Sequence, residues 1–177
     1  MNSLLSRVEL HTKIRQMRNM KYLRPVPSLI LILLLLIPGV LMAFGKTFVL
    51  CSPVYGIAVT ANDEPAAGIE IVREWTWTWN DQKGRDVTVT DAGGRFEFPL
   101  VEGSSLGAMF LPHEPNIMQV FTAKLPAGDL EILSISKDSY DLNSELNGKP
   151  TRIRCHLDRE PSPDGLYWGT CEEDQSQ

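Results

Sequence analysis

The hydrophobic and polar positions divide the chain into two parts with different patterns. From Leu29 to Phe44 almost every residue is apolar and none is charged. This run of 16 residues is slightly shorter than the ~20 that a bilayer core requires, and its length is typical of a signal-peptide core. We therefore assign residues 28–50 to an N-terminal apolar helix, either the core of a signal peptide or a membrane anchor.

A basic arm, residues 1–27, precedes this segment. It holds six Lys or Arg and a single acid, Glu9. Positive charge before an apolar segment keeps that side in the cytoplasm, so the residues after it are expected outside. An arm of this length is unusual for a signal peptide, so either translation starts at Met20, or the long basic arm stays in the cytoplasm and the apolar run is an uncleaved anchor.

The apolar segment has two alternative fates. Ala43 and Gly45 are small residues at the two positions that a signal peptidase reads, which allows cleavage after Gly45. Continuation of the apolar run through Phe48 to Leu50 would instead give an uncleaved anchor. Both alternatives place residues 52–177 outside the cytoplasm.

After Cys51 the pattern changes to alternation of apolar and polar residues, which predicts β-strands. One long predicted strand, residues 69–79, carries Ile69, Ile71, Trp75, Trp77 and Trp79 on one side. Turns are predicted at residues 62–65, 81–84 and 91–94, with other strands at 57–59, 87–90, 95–98, 117–121, 130–135 and 152–157.

This rhythm predicts one all-β domain over residues 52–160, an antiparallel β-sandwich of the immunoglobulin or prealbumin kind. Residues 161–177 are predicted to form a C-terminal tail. Its end, from Glu172 to Gln177, is acidic and polar and is expected to be disordered.

Several turn and strand motifs follow one another in a specific order. They are Gly56-x-x-Val59, Glu64-Pro65-x-x-Gly68-x-x-Ile71 and Thr90-Asp91-x-x-Gly94-x-Phe96-x-Phe98, then Gly128-x-Leu130-x-Ile132 and Lys137-Asp138-Ser139-Tyr140. Over about residues 53–140 this arrangement resembles the carboxypeptidase regulatory-like, or transthyretin-like, β-sandwich, with Gly128 to Ile132 in the position of its closing strand. The resemblance implies a supporting, docking or binding role without catalysis. The whole chain is also similar to small envelope proteins of Gram-negative bacteria, which implies a periplasmic domain, released or anchored to the inner membrane.

Charge limits the partners of the domain. From Lys46 onward the chain has 11 basic and 21 acidic residues, a formal net charge of −10. Nucleic acids and anionic lipids attract clusters of Lys and Arg, so we expect no nucleic-acid partner. The membrane is expected as a partner through the N-terminal apolar segment.

The three cysteines fit an exported protein. Cys155 and Cys171 would close a loop that contains Pro161, Pro163 and Gly165, and we favour a disulfide there over two free thiols. Cys51 is left over. A zinc site is not expected, because the chain has no CxxC and no His pair at ligand spacing.

The row of Trp75, Trp77 and Trp79 is the main candidate binding site. Three indoles on one side of a strand would suit stacking on sugar rings. The alternative, which we favour, is that the indoles face the core, because the same side carries Ile69 and Ile71.

No catalytic motif, metal site or cofactor is predicted. After the apolar segment, His113-Glu114 and His156-x-Asp158 are the only clusters that pair a His with an acid, and neither has a nucleophile at a telling spacing. We therefore expect a non-enzymatic binding or interaction module outside the cytoplasm, with an envelope protein or a glycan as partner. The alternatives are an immunity or inhibitor protein that masks a basic partner, and a carbohydrate-binding accessory domain that uses the Trp row.

Overall fold

The computed structural model describes residues 47–174 and shows an all-β fold. The chain divides into two units between Gly45 and Lys46. Residues 1–46, with the predicted basic arm and most of the apolar helix, lie outside the described residues, as do residues 175–177. The strands are β1 Thr47–Cys51, β2 Val54–Val59, β3 Glu70–Trp77, β4 Gln82–Val89, β5 Arg95–Phe98, β6 Val101–Ser104, β7 Ile117–Leu125, β8 Gly128–Lys137, β9 Thr151–His156, β10 Ser162–Asp164, β11 Tyr167–Gly169 and β12 Cys171–Glu173.

Two sheets carry the sandwich. The larger one has six strands in the order β10-β11-β8-β7-β3-β4, and the smaller one has four in the order β12-β9-β2-β5. A separate pair, β1 and β6, runs antiparallel. The predicted all-β sandwich is thus confirmed.

One pair, β2 with β9, is parallel, whereas the other strand pairs within residues 47–174 are antiparallel. Parallel neighbours need a long connection, and β9 follows a crossing segment of residues 138–150. That segment contains a single 3-10 turn, Ser144–Leu146. The motif predicted to close the module lies in β8, so the sandwich is completed only by β9 and β12, after the resemblance has ended.

The main core lies between the two sheets and follows the period-2 alternation of the strands. Phe98 of β5 and Phe121 of β7 contact edge to face, with ring centroids 5.4 Å apart. Gly56 of β2 is needed beneath the ring of Phe96, because a Cβ there would lie 2.1 Å from that ring. The predicted strand alternation is therefore what fills this core.

The segment that was assigned to the end of the apolar helix is a strand. Residues 47–50 belong to β1, whose partner is β6. Phe48 and Leu50 are buried in a second, smaller core with Trp75, Trp77 and Ile117. The β-domain therefore begins at Thr47, five residues before the predicted boundary at residue 52.

The predicted C-terminal tail is wrong, because residues 162–173 form β10, β11 and β12. The β10–β11 hairpin extends the larger sheet beside β8, and Tyr167 is buried in the main core. Strand β12 pairs with β9, and the predicted disulfide between Cys155 and Cys171 is present across that pair. The covalent link and the unpaired edge of β8 explain how three short strands form in an acidic segment.

The turn after β3 also differs from its prediction. It occupies Thr78–Asp81, so Trp79 lies in the turn, and Gln82 to Gly84 already belong to β4. Gly84 was read as a turn residue, but the indole of Trp75 lies where its Cβ would be, at 2.3 Å. Gly84 lacks a side chain because the Trp75 ring packs closely against it, and not because the chain reverses there.

Among residues 47–174 no helix has both the length and the apolar character of a membrane span. Their α-helix, α1 Leu106–Phe110, is one turn and a half long. It lies between β6 and β7, at the end of the domain where β1 begins.

Candidate functional site

Helix α1 begins directly after a capping residue, Ser105. The hydroxyl of Ser105 caps it by accepting a hydrogen bond from the backbone N–H of Ala108 at 3.3 Å. Leu111 has extended backbone angles and stands before Pro112, which disfavours a helical residue at that position. The helix is therefore limited to five residues.

The outer side of this segment exposes three large apolar side chains, Leu106, Phe110 and Leu111, which we call the α1 surface. Their exposed fractions are 54%, 75% and 58%. No charged residue lies between Glu102 and Glu114 in the chain. Apolar residues grouped at the surface commonly mark a contact site.

The indole of Trp79 contacts the α1 segment. Its indole N–H donates to the Ser105 hydroxyl at 3.2 Å, and its ring lies 3.3 Å from the position of a Cβ on Gly107. The imidazole of His113 packs against the indole, with ring centroids 4.2 Å apart. One half-buried indole thus holds both the beginning of α1 and the segment after it.

A chain of hydrogen bonds ties the end of the segment to the second core. The Trp77 indole N–H donates to the Tyr140 hydroxyl at 3.0 Å, and that hydroxyl lies 2.6 Å from His113 Nε2. His113 Nδ1 lies 3.0 Å from the carbonyl oxygen of Leu111. A carbonyl only accepts, so Nδ1 carries the proton and Nε2 accepts from the Tyr140 hydroxyl. Burial raises the pKa of Tyr140, which keeps this donor protonated.

The three tryptophans of the predicted binding row do not share one environment. Trp77 is fully buried and Trp75 is 8% exposed, so both indoles lie in the second core. Trp79 alone of the three is half-buried, in the turn. As the structure stands, Trp79 is the one indole of the row with a substantial accessible surface, and the glycan site remains a prediction.

The histidines of the two His–acid clusters, His113 and His156, have other partners in space. His113 contacts Trp79 and Tyr140 as described. His156 is 3% exposed, and its Nε2 lies 3.2 Å from Glu172 Oε1 while its Nδ1 lies 3.8 Å from Asp63 Oδ1. In residues 47–174 no group of three or more His, Cys, Asp or Glu has the geometry of a metal site.

A buried polar cluster, formed by Ser52, Gln119, Lys137 and Glu145, lies beside the second core. Both Glu145 carboxylate oxygens accept hydrogen bonds: Oε1 from Ser52 N at 2.9 Å and Gln119 Nε2 at 3.0 Å, and Oε2 from the Ser52 hydroxyl at 2.7 Å. Lys137 Nζ is 3.7 Å from Glu145 Oε2 and donates to the carbonyl of Asp141 at 2.9 Å. Burial lowers the pKa of Lys137. These contacts fasten the crossing segment before β9 to the larger sheet.

A second buried cation, Arg73, occupies the position that interrupts the apolar side of β3. It donates from Nε and Nη2 to Asp86 Oδ2 at 3.0 and 2.7 Å, and from Nη2 to the carbonyl of Pro99 at 2.9 Å. Its guanidinium lies 5.0 Å from the centroid of the Phe98 ring. Arg73 therefore links β3 to its neighbour β4 and to the end of β5.

Neither α1 nor the buried polar cluster was predicted from the sequence. The one signal for α1 in the sequence was the long stretch between the predicted strands 95–98 and 117–121, with Ser105 before an apolar run. Lys137 and Glu145 carried no signal, because a lysine and a glutamate in polar surroundings are usually solvated. Their burial depends on the crossing segment that brings them together.

Cys51 is the free cysteine and is buried, and burial raises its pKa to about 12. At pH 8 we expect an alkylating reagent to modify none of the cysteines in the folded, unreduced chain. Unfolding without reductant should allow one modification, and unfolding with reductant should allow three, as read by intact mass. Modification of the folded chain would show that Cys51 is accessible, and three modifications without reductant would rule out the disulfide.

Comparison with known proteins gives one match, to a protein family. Among the curated proteins and among the solved structures, none matches this chain. The model of one protein family, described as a domain of unknown function (DUF6795), matches residues 54–160. Those residues run from the start of β2 to just beyond β9 and contain α1, the three tryptophans of the predicted row and every member of the buried polar cluster except Ser52. By this match over more than half of its length, the chain belongs to the DUF6795 family.

Proposed function

We propose that this protein is a non-enzymatic interaction module that works outside the cytoplasm and contacts its partner through the α1 surface. The observation that carries the proposal is the exposure of Phe110, at 75%, beside Leu106 and Leu111. Each side chain left partly in water forfeits part of the hydrophobic free energy of its full burial, which is about 1.5–3 kcal/mol for such residues. A partner that covers them recovers part of it.

The contacts that hold α1 in place favour a binding role for the α1 surface. Ala108 and Met109 of α1 pack against the second core, while Trp79 and the Trp77–Tyr140–His113 hydrogen bonds fix the two ends of the segment. A contact surface that is held in place before binding loses less conformational entropy when the partner arrives. This segment is therefore better suited to binding than a loose loop of the same composition.

The Cys155–Cys171 disulfide supports a location outside the cytoplasm, where such bonds persist. The N-terminal apolar run and the basic residues before it support the same location. We further propose a transthyretin-like relationship for the sandwich. The motifs that carry the resemblance lie in β2, β3, β5 and β8 and in the turns between them.

The inhibitor alternative is supported by the formal charge of −10 from Lys46 onward, which would steer a basic partner toward the domain. The α1 surface adds nothing to that alternative, because it is uncharged. The glycan alternative has support from Trp79 alone. We therefore favour an apolar contact.

Photo-cross-linking in a Gram-negative host tests the proposal. The full chain would carry benzoylphenylalanine in place of Phe110, or in place of Ala127 as the matched control. Ala127 is exposed in the β7–β8 turn, and the nine residues of β7 separate it from the segment that follows α1. We expect several-fold more adducts from position 110 than from position 127.

A second control removes the neighbouring apolar side chains. Leu106→Ser together with Leu111→Ser should lower the adduct yield from position 110, and the fold should survive because both residues are more than half exposed. Equal yields from the two probe positions, or no adduct from position 110, would contradict the proposed contact surface.

A further inference from the structure

We propose that the partner of the α1 surface is the lipid bilayer in which the apolar run Leu29–Phe44 is anchored. The domain would rest on that membrane with Leu106, Phe110 and Leu111 inserted among the lipids at the headgroup boundary. This inference rests on the proposed function, because it names the partner of the same surface.

The path of the chain brings α1 to the membrane. Only Gly45 and Lys46 separate the apolar run from Thr47, and two residues reach at most about 7 Å. Thr47 is paired with Ser104, directly before Ser105, the cap of α1. Paired residues on antiparallel strands lie about 5 Å apart. With the apolar run in the bilayer, helix α1 therefore begins at or just above the headgroups, a layer about 5–8 Å thick on each side.

The charges around the α1 surface indicate which kind of interaction would hold it at the membrane. Residues 103–112 contain no charged side chain, whereas Glu102 and Glu114 flank them and the domain as a whole is acidic. Attraction to anionic headgroups is therefore excluded as the cause of binding. Apolar insertion remains, in the manner of Phe and Leu side chains at membrane interfaces.

The short link to the anchor compensates for the small area of the α1 surface. Three partly exposed side chains would bind a membrane weakly if the domain were free in solution. A short link to an anchor in the same membrane makes the contact intramolecular, and a high effective concentration then replaces the missing area. The anchor and the α1 surface would act as two contacts of one chain.

The test measures how deeply a label at position 110 lies in the membrane. Full-length Phe110→Cys protein is labelled with an environment-sensitive NBD dye and reconstituted in phosphatidylcholine vesicles, with or without lipids brominated near the headgroup. Buried Cys51 and the disulfide leave the new thiol as the reactive one. We expect a blue-shifted emission that the brominated lipids largely quench.

The matched control is Ala127→Cys at the opposite end of the larger sheet, whose emission should be neither shifted nor quenched. Adding Leu106→Ser and Leu111→Ser to the Phe110→Cys chain should restore most of the quenched emission. The inference is overturned by an unquenched label at position 110, by equal quenching at position 127, or by an intact mass showing that the host itself cuts the chain after Gly45, since such a protein has no anchor. Cross-links from position 110 to proteins alone would also overturn it while the proposed function stands, whereas no cross-links at all would defeat both.

Discussion

Replacing Glu145 by alanine is expected to lower the free energy of unfolding by about 3–5 kcal/mol, the usual loss when one partner of a buried ion pair is removed. Lys137, whose side chain has no exposed surface, would keep a buried charge without its carboxylate. The backbone N–H of Ser52 and the amide of Gln119 would lose their acceptor as well. Urea unfolding of the full chain in mild detergent, followed by tryptophan fluorescence, measures the change.

Two controls separate this effect from the loss of any glutamate. Glu173→Ala removes an exposed ion pair with Lys149 and should cost less than about 1 kcal/mol. Adding Lys137→Met to Glu145→Ala should recover part of the loss, because the uncompensated charge is gone. A Glu145→Ala chain no less stable than Glu173→Ala would show that the buried polar cluster does not hold the crossing segment.

Removal of the disulfide is the second large effect. Cys155→Ala together with Cys171→Ala should lower the free energy of unfolding by about 3 kcal/mol, since a loop of this length restricts the unfolded chain by that amount. The two residues are 16 apart in sequence, and the loop between them contains β10 and β11. Hydrogen exchange should rise most over residues 162–173.

Cys51→Ala is the matched control for the disulfide variant, since it truncates a buried cysteine and leaves the bond intact. The comparison uses urea midpoints at equal protein concentration. If the double variant unfolds at the same midpoint as Cys51→Ala, the disulfide contributes nothing to stability, and the three short C-terminal strands are held by the sheets alone.

Alternation of apolar and polar residues predicted the strands that bury one face in a core. β2, β3, β5 and β9 have this pattern, and each was expected within a few residues of its observed position. Trp79 was the instructive error. Its parity continues that of Trp75 and Trp77, but the chain has already left the strand and Asp81 takes a left-handed backbone conformation. Periodicity alone does not distinguish an aromatic in a strand from one in the turn that follows.

The candidate site was less accessible to sequence reasoning than the fold, for a physical reason. Helix α1 is too short to show a helical period, and its exposed side chains look like any apolar run in a connection. Lys137 and Glu145 are brought together by the crossing segment and the larger sheet, so their environment is a property of tertiary contacts. The C-terminal strands depend in the same way on the edge of β8 and on the disulfide.

The parallel pair of β2 and β9 has a consequence for the order of folding. Val54 is paired with Thr151, so a central strand of the smaller sheet waits for a partner almost a hundred residues further along the chain. Contacts so distant in sequence slow folding, because a long loop must close before they form. In the proposed export from the N-terminus onward, one side of β2 would stay unpaired until β9 has crossed. In that interval the incomplete sandwich has an open sheet edge, and such an edge favours aggregation until β9 pairs with it.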